Sequence, residues 1–492
     1  MKKWIFALAC LSGTVFGAGN LTPNTAPAPT MKTLSELDDA ITQTSNRAAQ
    51  VEARIDILSL PAADGAMHAI QQPGSYYLSS HISVNEDYTA AILVDAEHVS
   101  IDLNGNRISR WLGTGGEGIK ISPNATSPTI KNGYIEGFEF GIYSQATNTS
   151  LESLYVEDCT SNGFHLVASA QLFNCRAKSN AGAGIYTEDG CVLMKCTAYK
   201  NSGIGIQTGN NSLLAQCVAN QNTEGGFKTL EATQLNDCTA RGNDGDGIKT
   251  GNDCMLSACV AVDSTVENGF KLGWNCVLSS CSAYDNKKSG FNLGRNVLLS
   301  DCSAYDNEGY GFIAQENANL MRCNASRNLG SYGINVAWGS RLQECSADKN
   351  SGAGIYTGEG CQILSCSSTE NGDQGIVLGN NSMAKSCISF KNGNTGVLVY
   401  YNCQVVENQS NENGGSGFYS SSSGSFYARN HAYKNTRGIA LTASENMVVL
   451  NSCTGNPSGD YLTSGTQTIG SIYSPGTLAI FPLNPWTNFS FK

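Results

Sequence analysis

Lys228, Lys249 and Lys271 stand 21 and 22 residues apart. Three residues after each come Glu231, Asn252 and Trp274, and the same spacing continues to Arg295, Glu316 and Trp338. Asp253 follows one residue behind Asn252. If these form two columns on one face, the chemistry suits an acidic polysaccharide: lysines meet uronates and tryptophans stack on sugar rings. A crowded Lys or Arg is also a base for β-elimination, and carboxylates on such a face suit Ca²⁺. The same residues also suit a solvated outer face, with Glu231 neutralising Lys228.

What puts them in columns is a repeat. A Gly followed by Ile, Phe or Val opens units at 163, 184, 205, 226, 247, 269, 290, 311, 333, 354, 375, 396, 417 and 438. A period of 21–22 residues marks a solenoid, in which one coil cannot bury its apolar face alone. Counting from the Gly as zero, position +9 carries Leu from Leu172 to Leu342, and +14 carries Ala from Ala177 to Ala347. Position +12 carries Cys175, Cys196, Cys217, Cys238, Cys259, Cys281, Cys302, Cys323, Cys345, Cys366 and Cys387. The inward positions are therefore +1, +3, +7, +9, +12 and +14, mostly in pairs two apart, which is strand periodicity. Each coil should hold three short strands and three turns. Asn recurs near +17, from Asn180 to Asn413; it tolerates left-handed turns and can bond to its own copy in the next rung. The lysines fall at +2 and the Glu/Trp/Arg column at +5.

These columns resemble a right-handed parallel β-helix of the pectin-lyase-like class. Ile70-Gln-Gln-Pro-Gly-Ser-Tyr-Tyr-Leu78 and Val99-Ser-Ile-Asp-Leu-Asn-Gly-Asn106 resemble the opening rungs of exported bacterial β-helix proteins. Pro29-Thr-Met-Lys-Thr-Leu34 and Asn484-Pro-Trp-Thr-Asn-Phe489 are similar to segments at the two ends of such chains. The resemblance implies an all-β, single-chain solenoid and leaves activity open, because the fold hosts unrelated functions.

Residues 1–17 read as a signal peptide: Lys2 and Lys3, an apolar stretch from Trp4 to Leu11, then Val15-Phe16-Gly17. An export signal places the mature protein in the periplasm, on the outer surface or outside the cell. Residues 18–30, with Pro23, Pro27 and Pro29, read as a linker. Residues 31–65 read as a helical N-terminal cap, since Leu34, Leu37, Ile41, Ala48, Val51, Ile55 and Leu58 keep helical spacing. Such a helix would shield the first strand edge or join copies in a short coiled coil; monomer and helix-mediated oligomer both remain open. Residues 66–162 are irregular first coils, 163–437 the regular repeats, and 438–492 a C-terminal cap rich in proline.

Of the 492 residues, 14% are charged and 54 are Gly, which suits many tight turns. A net charge of −11 argues against general nucleic-acid or anionic-membrane binding. No spanning segment follows the leader.

There are 19 cysteines. Export and abundant Cys ordinarily mean disulfides. Stacked neighbours in one column, however, lie about 4.8 Å apart, whereas a disulfide wants Cβ atoms about 3.5–4.5 Å apart. The column therefore reads as buried free thiols. The Cys-x4-Cys pairs, such as Cys191 and Cys196, lack zinc-knuckle spacing and alternate with core Leu, so no metal site is assigned.

Familiar hydrolases of this fold need clustered carboxylates with a Gly-His-Gly. None of the five His stands in that motif, and Asp244-Gly-Asp246-Gly arises from the repeat itself. No catalytic residue is assigned. Three functions remain: binding of an acidic polysaccharide through Lys228, Lys249, Lys271, Trp274, Arg295, Glu231, Asp253, Glu316 and Trp338; a structural or adhesive surface protein; or a lyase using Lys or Arg as base.

Overall fold

The computed structural model describes residues 54–85, 87–111, 115–474 and 485–491. The leader, the linker and residues 31–53 of the helical cap lie outside them.

One coil shows the rule. From Gly184, the strands are Ile185–Thr187, Val192–Met194 and Thr197–Tyr199. Each pairs in parallel and in register with its copy one repeat on, as in Leu193 with Leu214 and Ala198 with Ala219. First strands stack into one sheet; second and third strands stack into another, bent at the Cys corner. Inward positions match the sequence reading: Phe164, Leu166, Ala170, Leu172, Cys175 and Ala177 are all buried. Every described cysteine is buried and free. Cys196 Sγ lies 3.6 Å from Leu172 O and 3.5 Å from Met194 O, so the thiol is accommodated by corner carbonyls. Burial raises the thiols of Cys191, Cys361 and Cys403 and lifts those of Cys159 and Cys453 to about 12.

The third turn is held from inside by Asn. Asn201 Nδ2 donates to Asn222 Oδ1 at 2.9 Å and to Ala177 O at 3.3 Å. Its own Oδ1 accepts from Asn180 N at 3.0 Å and Asn180 Nδ2 at 2.9 Å. All four hydrogen-bonding sites of the buried amide are thus filled. The left-handed residue is the one before it, such as Ser179 (φ 54) or Lys200 (φ 55), not the Asn as the sequence suggested. The ladder also explains the opening Gly: a Cβ on Gly184 would meet Asn201 Nδ2 at 2.6 Å. A second Asn ladder, Asn408 to Asn430 to Asn451, takes over the corner where the Cys column ends.

Two expectations change. Within the expected cap, Ile55–Asp56 is a strand paired with Tyr76 and Tyr77, and Ile57–Ser59 is a 3-10 turn. The spacing of Ile55 and Leu58 suits a helix, but pairing onto the first coil wins. At the other end, Arg437–Leu441, Met447–Val449 and Ser452–Thr454 continue the coils past residue 438. There the first turn holds one more residue, so the columns move to Val448, Asn451 and Cys453 and the period is hidden.

Candidate functional site

Lys228, Lys249 and Lys271 are adjacent in register, as the sequence implied: Lys228 pairs with Lys249, and Lys249 with Lys271. They project outward from the first-strand sheet, Lys249 and Lys271 exposed and Lys228 half-buried. Glu231 does not neutralise Lys228; its carboxylate accepts from Asn252 Nδ2 at 3.2 Å instead. No carboxylate lies within ion-pair distance of any of the three among the described residues. The other described lysines all have partners. Lys120, Lys131, Lys178, Lys287, Lys288, Lys349, Lys385 and Lys391 have carboxylates. Lys195, Lys200 and Lys434 lie over aromatic rings.

The +5 column is more self-contained. Arg295 Nε binds Glu316 at 2.6 Å, and its guanidinium sits 5.4 Å from the Trp274 ring centroid. Its charge is therefore balanced, and it does not extend the lysine column as a free cation. Trp274 and Trp338 are exposed. Asp253 accepts from Asn275 Nδ2 at 3.0 Å. Among the described residues no three His, Cys, Asp or Glu side chains come together as a metal-holding group. Asp244 and Asp246 are turn braces: Asp244 accepts from Thr265 Oγ1 at 2.6 Å, and Asp246 accepts from Asn268 N and Nδ2 at 3.2 and 3.0 Å.

Lys271 also lines a hollow of about 430 Å³ with Glu267, Asn268, Lys287, Lys288, Asn292 and Tyr310. Two third-turn ion pairs accompany it, Lys288 with Glu267 at 2.6 Å and Lys287 with Glu308 at 2.7 Å.

A family model described as a right handed beta helix region matches residues 78–201 and 266–368. The chain folds as a right-handed parallel β-helix. A search of the curated proteins gave no match. Similar solved structures include the A-module of the Azotobacter vinelandii mannuronan C-5 epimerase AlgE6, at 14% identity and TM-score 0.30 over 86% of this chain and 89% of that one. The pectate lyase Pel9A is similar at 15% identity and TM-score 0.33, over 54% and 72%. Tailspike protein 2 of an Escherichia coli O157:H7 bacteriophage is similar at 10% identity and TM-score 0.27, over 68% and 39%. No described helix of this β-helix chain is long and apolar enough to cross a membrane.

The sequence reading missed Lys287, Lys288, Asn292 and Tyr310. Their trace was there. Among the regular repeats only the steps from 247 to 269 and from 311 to 333 are 22 residues long. In both coils +17 keeps its place, at Ser264 and Asn328, so the extra residue enlarges the third turn. The two enlarged turns of the β-helix bracket the hollow.

Proposed function

We propose that the protein binds an acidic polysaccharide along the outer face of its first-strand sheet. The observation that carries this is the partnerless state of Lys228, Lys249 and Lys271 beside eleven other lysines that all have partners. Two ammonium groups about 7 Å apart in water repel by about 0.6 kcal/mol. Three stacked lysines carry that cost unless an anion bridges them, and a polymer bearing regular charges bridges all three at once. Exposed Trp274 and Trp338 give such a chain apolar contact beside the charges.

The test is affinity for polyuronates and sulfated glycans at two salt concentrations, with circular dichroism as folding control. Changing all three lysines to Gln should leave the fold intact and weaken binding most at low salt, because salt screens exposed charges. If the wild type binds none of these polymers, or the triple variant binds as well, the face is merely solvated and a structural or adhesive role takes its place.

A further inference from the structure

Resting on that reading, we propose that the hollow at Lys271 is a subsite for a single anionic pyranose unit of the polymer, its charge a carboxylate or a sulfate. Three features of the hollow support this. The first is charge. Lys287 and Lys288 are already matched by Glu308 and Glu267, which leaves Lys271 as the unmatched cation among the lining lysines. A hollow with one cation to spare takes one anionic group.

The second is its walls. Tyr310 and Ile313 supply apolar surface, while Asn292 and Ser289 lie on the same lining. A pyranose has the same division, with C–H faces and hydroxyl edges; Tyr offers an apolar body with a polar tip, and Asn offers both donors and an acceptor. The volume of about 430 Å³ lies at the small end of ligand sites, matching one unit with room for its linkages.

The third is rigidity. Tyr310 stacks on Tyr332 with centroids 5.8 Å apart and planes 13° apart, and Tyr332 packs on Tyr356 at 4.7 Å. The ring is held before any ligand arrives, which lowers the ordering cost of binding. The braces from Asp244 and Asp246 hold the enlarged turn on the other side.

The experiment separates this subsite from the general lysine track. Binding is measured with a long polyuronate, a uronate disaccharide, and their sulfated counterparts, by calorimetry. Lys228 lies two rungs from Lys271, about 10 Å along the axis. With the disaccharide, Lys271→Gln should lose binding while Lys228→Gln should not change it. Tyr310→Ala should weaken the long polymer about tenfold with little salt dependence. Asn292→Ala, at a half-buried outward position, should weaken it several-fold and guards against a folding defect in the Tyr310 variant. Whichever of the two anion types binds names the charge. The subsite is overturned, and the lysine track survives, if Tyr310→Ala and Asn292→Ala both bind like wild type while the triple lysine variant loses binding. It is also overturned if the disaccharide responds equally to Lys228→Gln and Lys271→Gln. If the wild type binds no polymer, subsite and track fall together.

Discussion

Two outer columns of the same β-helix treat charge in opposite ways. At +16, just before the Asn ladder, most charges meet an opposite charge on a neighbouring rung. Arg327 grips Asp306 through Nε and Nη2 at 2.7 and 2.6 Å, Lys349 approaches Glu370 at 3.7 Å, and Lys391 approaches Glu412 at 3.9 Å. At +2, Lys228, Lys249 and Lys271 repeat one sign over three rungs with no partner. A solenoid places like residues side by side by construction. Inside, that suits Cys on Cys, Asn on Asn, and Phe270 on Phe291 at 4.7 Å. Outside, repeating a charge is unfavourable, and pairing with an opposite charge offsets it. The lysine column has no such pairing on any of its three rungs.

The largest expected effect comes from breaking the ladder that backs the +16 column. Asn307 Nδ2 donates to Asn328 Oδ1 at 2.9 Å and Ala283 O at 3.1 Å, and its Oδ1 accepts from Asn286 Nδ2 at 2.9 Å. Asn307→Leu leaves several buried groups short of a partner and should cost on the order of 3 kcal/mol. The urea midpoint by circular dichroism checks this. A midpoint shift as small as that of a surface change would mean the ladder is not what holds the turn.

Next is the +16 column itself. Arg327→Asp removes a bidentate pair and sets four acids, at 263, 285, 306 and 327, in one column. The loss should be about 1 kcal/mol and should shrink in high salt. The mirror experiment is Lys249→Glu, which makes the lysine column alternate. It should stabilise the protein by a few tenths of a kcal/mol and abolish low-salt polymer binding. Stability falling together with binding would show that the lysines serve the fold.

The contrast between these columns also explains what was legible in the sequence. Inward positions could be read because burial favours apolar residues two apart along a strand, as at Cys254 and Leu256. The outer lysines could be placed in a column, but not their lack of partners, since Glu231 sits near enough in sequence to pair and points elsewhere. Helical spacing misled at Ile55 and Leu58 because a two-residue strand is shorter than any period. The hollow was invisible because three separate third turns build it, and only the two 22-residue steps hinted at it.

The smallest effect tests a rung between the two cases. Asp263, Asp285 and Asp306 also repeat one sign, but the ends are matched, Asp263 by Arg241 at 3.5 Å and Asp306 by Arg327. Asp285 in the middle is not, and partial burial together with its two acidic neighbours raises its carboxyl above the ordinary 3.8. A carboxyl raised on folding binds its proton more tightly in the native state. Native stability from this group is therefore full below the ordinary value and declines as pH rises through the raised one. Asp285→Asn removes that decline. Its melting temperature should exceed that of wild type by about a degree at pH 7 and equal it near pH 3. Equal melting temperatures at both pH values would mean that Arg327 reaches Asp285 as well as Asp306, and that the +16 column tolerates three like charges without strain. The lysine column would then need no ligand to explain it, and only the binding measurements would speak for one.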